Sequence, residues 1–85
     1  MDDLGPPIAY TVLEEGTPVF DRHGKRIGVV DQLLADMQLD IFDGVIVQSR
    51  PLPGRRLFAD VEQIAELRER GVVLAVERDD LHAPP

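Results

Sequence analysis

Gly16-Thr17-Pro18-Val19-Phe20-Asp21-Arg22-His23-Gly24-Lys25-Arg26-Ile27-Gly28-Val29-Val30-Asp31 carries the sharpest local signal in the chain. Pro18-Val19-Phe20 and Arg26-Ile27-Gly28-Val29-Val30 are short apolar bursts rich in residues that suit a pleated, half-buried surface. The five residues between them favour a turn. Asp21 can accept backbone N–H bonds there, and Gly24 can take the positive φ that a type I turn with a bulge requires. An antiparallel hairpin follows, with His23 at its tip as a solvated turn residue rather than a ligand or a base. Gly28, inside the second strand, marks a bend of the kind a small barrel needs where one long strand serves two sheets.

Beyond Gly28 the apolar pattern continues through Leu33, Leu34, Ala35 and Met37, so Val30 to Leu39 reads as a prolonged strand, with a helix as the competing reading. Asp36 to Asp40 is the turn into a second apolar strand, Ile41 to Val47. A loop from Ser49 to Arg55, rich in Pro, Gly and Arg, comes next. Upstream, Ile8 to Leu13 reads as a strand by its β-branched and aromatic content. Downstream, Arg56 to Ala59 is strand-like, whereas Asp60 to Arg70 is full of good helix formers, with Asp60 as a possible N-cap. Gly71 closes that segment as a helix C′ residue or a hairpin turn residue. Val72 to Val76 is a strand. The ends, residues 1–7 and 77–85, are charged or Pro-rich and read as flexible tails flanking one domain at 8–76.

Composition narrows what such a chain can do. It has 85 residues, 44% of them hydrophobic and 29% charged, the balance of an ordinary globular domain. A chain this short buries only about 60–65% of its unfolded surface, so a single small core is expected and self-association would reinforce it. With no cysteine, disulfides, thiolate metal sites and thiol nucleophiles are excluded. Zinc would have to come from the two histidines and carboxylates. The net charge is −7, which repels phosphate backbones and anionic lipid, so free nucleic acid and membrane surfaces are poor partners and a basic protein is a better one. The acids are uneven: residues 1–43 hold nine against three bases, and residues 44–85 hold seven against six. No apolar run reaches the ~20 residues of a membrane span, and the acidic start lacks a signal peptide's positive region, which points to the cytoplasm.

The Gly16–Asp31 stretch is similar to the opening of PRC-barrel domains, in which a strand ending in Val-x-Asp, a turn glycine and Ile-Gly-x-Val begin the barrel. Gly44-Val45-Ile46-Val47, the block leading to Ile64, and Val72-Val73-Leu74-Ala75-Val76 fit the later pieces, so the resemblance spans about residues 11 to 76. It implies an all-β fold, a small barrel of about six short strands with a helical turn near Val61–Ile64. It also implies that Ala65-Glu66-Leu67 is a strand, hairpinned to Val72–Val76 through Arg68 to Gly71. The usual Val-Pro step before that turn is replaced here by Phe58-Ala59-Asp60-Val61. Such barrels are docking surfaces, found in the photosynthetic reaction centre H subunit and in a ribosome-maturation factor. A non-catalytic, homodimeric protein-interaction module is therefore the leading expectation.

The candidate contact residues are Val45 and Val47 on an apolar strand and Arg50, Arg55 and Arg56 in the basic loop, which could grip a phosphate or carboxylate bidentately. The alternative is a ligand- or metal-binding regulator built on Asp31, Asp36, Asp40 and Asp43, although their spacing does not match a calcium loop. A third reading, assistance in ribosome or RNA processing, rests on analogy of fold alone. There is no GxSxG, HExxH or phosphate-loop motif, so no catalysis and no cofactor are expected. A barrel this small has little depth for a ligand pocket of about 300–1,000 Å³, unless two copies form one between them.

Overall fold

The computed structural model describes residues 3–50 and 54–85. Six strands form one sheet: β1 (Pro18–Phe20), β2 (Arg26–Asp36), β3 (Ile41–Ser49), β4 (Arg56–Asp60), β5 (Ile64–Arg68) and β6 (Gly71–Leu74). The all-β class read from the sequence is the one observed, and three-residue 3-10 turns at Tyr10–Val12, Val61–Gln63 and Arg78–Asp80 are the helical elements among the described residues. None of these is long and apolar enough to cross a membrane.

The strand order is β4-β3-β2-β1-β6-β5. The first four strands form an antiparallel meander, and the β5–β6 hairpin returns to lay β6 parallel to β1, with Val19 opposite Val72. The two outermost strands, β4 and β5, are joined by only Val61–Gln63. In a flat sheet they would lie five spacings apart, about 24 Å, whereas the connection reaches at most about 14 Å. The sheet must curl. Its hydrogen-bonded ladder does not close between β4 and β5, so the sheet is curled but open, not the closed barrel expected from the sequence.

Two devices produce the curl. In the β2–β3 pairing the register slips between Val30 and Gln32 and again between Leu34 and Ala35, and each such bulge bends a strand and increases its twist. Close approach of backbones supplies the second. A Cβ on Gly28 would overlap the carbonyl oxygen of Gln48 on β3, and one on Gly44 would overlap that of Ala59 on β4. The strand reading of Val30 to Leu39 holds as far as Asp36, and the hairpin before it turns where expected, with Gly24 at φ 82°.

Inside the curl lie Val19, Ile27, Val30, Val45, Val47, Ala59, Val72 and Leu74, all buried, with Leu13, Leu33, Ile64, Leu67 and Leu81 packed against them. Burial of each large aliphatic contributes about 1.5–3 kcal/mol. Val45 and Val47 are fully enclosed, and Ile46 on the opposite face is 2% exposed. The contact surface expected at Val45 and Val47 is therefore not available: these side chains complete the core of a single chain.

The ends differ from the sequence reading as well. Ile8 to Leu13 is not a strand: Ile8 N–H donates to Leu67 O at 3.0 Å, after which the chain turns as a 3-10 segment. Met1 and Asp2 of the expected 1–7 tail lie outside the described residues. From Leu4 onward the segment runs along β5, with Arg70 N–H donating to Leu4 O at 2.9 Å and Glu69 N–H to Pro6 O at 3.1 Å. At the opposite edge, His82 and Phe58 exchange backbone hydrogen bonds of 2.8 and 2.9 Å. Unpaired edges would otherwise recruit foreign strands.

Replacing Gly28 with Ala is expected to destabilise the fold by more than about 3 kcal/mol, because backbone must move on two strands. A thermal melt followed by circular dichroism checks this; a melting temperature equal to that of the parent would refute the close-approach argument.

Candidate functional site

The four aspartates proposed as a metal site are dispersed into separate structural tasks. Asp31 sits at the first β2 bulge and accepts from Arg56 Nε at 3.0 Å. Asp36 Oδ1 accepts the N–H groups of Gln38 and Leu39 at 3.0 and 3.1 Å, shaping the β2–β3 turn. Asp40, in the left-handed region at φ 53°, accepts the Tyr10 hydroxyl at 2.6 Å. Asp43 is exposed on β3. Among the described residues no three metal-ligating side chains stand close enough to hold an ion. The carboxylates are spread along an extended hairpin, so nearness in sequence does not become convergence in space.

That hairpin is the first notable surface. Its tip exposes Met37, Leu39 and Ile41, at 55%, 68% and 47%. Scattered exposed aliphatics are ordinary, but three within five residues form a patch. The tip is braced: the Tyr10 ring stacks on Phe42 with centroids 5.0 Å apart, while its hydroxyl holds Asp40. Donation to the Asp40 carboxylate raises the Tyr10 pKa above its ordinary value, with smaller contributions from desolvation and the nearby acids. Tyr10 was legible only as a strand residue, since nothing local in the sequence ties it to position 40.

A second surface gathers most of the basic groups. The predicted trio Arg50, Arg55 and Arg56 divides. Arg56 turns to Asp31 and Gln32, whereas Arg50 lines a cleft of about 690 Å³ with Lys25, Arg26 and Arg78. Arg55 joins Arg78 in an adjoining hollow of about 200 Å³. Pro51 and Pro53 of the predicted loop lie outside the described residues. The cleft is a half-open surface groove between the β1–β2 turn, Arg50 and the Arg78–Asp80 segment, outside the sheet's interior.

The cleft walls are fixed by backbone. Arg50 N–H donates to Ile27 O at 2.9 Å, and Arg22 N–H to Val76 O at 3.1 Å. Ser49, the sole serine, is fully buried and accepts the Arg55 N–H at 2.8 Å. Asp21, 6% exposed, accepts from His23 and Lys25 N–H at 2.8 and 2.9 Å. Burial is the largest single influence on its pKa and raises it, but those two hydrogen bonds and the neighbouring cations together outweigh it, leaving Asp21 below the usual carboxylate range.

His82, expected in a loose tail, instead meets Asp60 Oδ2 at 2.9 Å and fastens the C-terminal segment to the edge of β4. His23 is exposed at the hairpin tip, as its place in the turn required, with Glu77 3.6 Å away.

A folded-state pKa depressed at Asp21 means that its stabilisation is present above the unfolded value of about 3.9 and is lost as pH falls through the lower folded value. Asp21→Ala should cost about 1–3 kcal/mol at neutral pH, the penalty for leaving two N–H groups without their acceptor. Urea titrations at pH 7 and pH 3 check the sign: the gap between parent and variant narrows in acid, and a gap that widens refutes it. Comparison of the chain with protein-family models and with curated proteins finds no match.

Proposed function

We propose that this chain is a non-catalytic protein-docking module of the PRC-barrel kind, which engages an apolar and basic partner surface through the tip of the β2–β3 hairpin. The observation that carries the reading is the exposure of Met37, Leu39 and Ile41 on a turn whose shape is already fixed by Asp36, Asp40 and Tyr10. A rigid tip loses little conformational entropy on binding. Removing its aliphatics from water supplies affinity, and the acids beside them select a cationic partner.

A second copy of the chain is a weaker fit for that surface. Two-fold pairing of tips would bring Asp36, Asp40 and Asp43 close to their own counterparts, an arrangement that like-charge repulsion opposes. Val45 and Val47, the strand residues expected to make contacts, are enclosed within the single chain.

A Leu39→Gln/Ile41→Thr variant separates the possibilities, because both side chains are exposed and the change should leave the melting temperature within a few degrees. Parent and variant are titrated with a synthetic peptide alternating Leu and Lys, while amide shifts are followed by NMR. The expected outcome is saturable shifts confined to residues 36–43 in the parent, weakened about ten-fold in the variant. Light scattering across concentration tests the other occupant: a dimer abolished by the same variant would assign the tip to self-association and overturn the basic-partner reading.

A further inference from the structure

The chain has nine Lys and Arg side chains. Arg22, Arg56, Arg68 and Arg70 are ion-paired, with Glu77, Asp31, Glu66 and Glu69. Lys25, Arg26, Arg50, Arg55 and Arg78 make no ion pair among the described residues, and all five line the 690 Å³ cleft or the hollow that joins it. Sixteen acids are present in the chain, yet the unpaired cations collect on one surface.

Four carboxylates, Asp21, Glu77, Asp79 and Asp80, share the cleft wall with these cations, but none of them is ion-paired with any of the five among the described residues. Asp21 is committed to two backbone N–H groups. Glu77 is shared between Arg22 and His23 at 3.4 and 3.6 Å. Asp80 Oδ2 accepts the Glu77 N–H at 3.2 Å. Only Asp79 faces the cleft without a hydrogen-bond or ion-pair partner among the described residues. Arg78 is half-buried and oriented by donation from Nη1 to Arg50 O at 3.2 Å, which ties the C-terminal wall to the β3 end and leaves its other donors free.

We propose that this cleft binds a small, multiply charged oxyanion, a phosphate ester or a polycarboxylate. Guanidinium forks match the geometry of both groups, and a ligand carrying more than one negative charge can engage several of the cations that line this concave surface. The volume lies in the range usual for small-molecule sites, about 300–1,000 Å³. A long polyanion is disfavoured because the field of the remaining surface is negative. The site is independent of the hairpin tip, which lies at the far end of β2.

The test is titration of the full-length chain at low ionic strength with pyrophosphate and, separately, with citrate, read by amide and arginine Nε shifts and by calorimetry. Saturable binding is expected, with shifts at residues 25–27, 50, 55 and 77–80. Arg50→Ala/Arg78→Ala should weaken it about ten-fold or more, whereas Arg68→Ala/Arg70→Ala, on the β5 edge, should leave it unchanged. If loss of Arg78 unfolds the C-terminal segment, Lys25→Gln/Arg26→Gln carries the same expectation without touching that wall. Preference for pyrophosphate identifies a phosphate ester, and preference for citrate a polycarboxylate. Absence of saturable shifts with either anion, or equal weakening in the β5-edge variant, overturns the proposal.

Discussion

Val61–Gln63 governs the architecture, because it joins the two strands that the sheet order places farthest apart. A connection that short permits only a curled sheet, and its own hydrogen bonds keep it short. Asp60 and Gln63 form a reciprocal cap, with Gln63 N–H donating to Asp60 Oδ1 at 3.1 Å and Asp60 N–H to Gln63 Oε1 at 3.2 Å. Gln63 also accepts from Ala75 N–H at 2.8 Å through its carbonyl and donates from Nε2 to Asp80 O at 2.8 Å. One residue therefore holds together the turn, the end of β6 and the C-terminal segment. Bulges in β2 and the side-chain-free crossings at Gly28 and Gly44 let the rest of the sheet comply with that constraint.

β2 then determines where the surfaces fall. Its first residues lie in the core and at the cleft, and its last ones project with the start of β3 beyond the strands that flank them. The apolar, acid-flanked tip and the arginine-rich cleft are thus ends of one 11-residue strand about 35 Å long if fully extended.

Much of the fold was readable from residue order. The hairpin around Gly24 and the β3 and β6 strands follow from alternation, β-branching and turn chemistry, all of them local. The strand at 64–68 was not readable from propensity, since Ala65, Glu66 and Leu67 are good helix formers; pairing with β6 overrides that preference. Ile8 to Leu13 failed in the opposite sense: its β-branched residues suit a strand, but only one residue there meets β5 before Tyr10 turns to stack on Phe42. The site was half legible. Arg50 and Arg55 could be picked out as a basic loop, whereas Lys25, Arg26 and Arg78 belong to a turn and an end segment whose meeting depends on long-range pairing. Val45 and Val47 were misassigned as contacts because an uninterrupted apolar run does not disclose that both of its faces are covered.

The parallel pairing of β1 with β6 has a kinetic consequence. Every antiparallel neighbour pair in this sheet is also adjacent in the sequence and can form by short-range search, whereas β1 and β6 bring together opposite ends of the domain. The entropy of closing so long a loop must be met before any contact there is gained, which makes this the late step of folding. Until it occurs, Val19 and Val72 stand open at two bare strand margins, accessible to neighbouring molecules during synthesis. The surplus of sixteen acids over nine bases then serves the nascent chain as much as the finished one, since mutual repulsion keeps such half-closed molecules apart while the last seam forms.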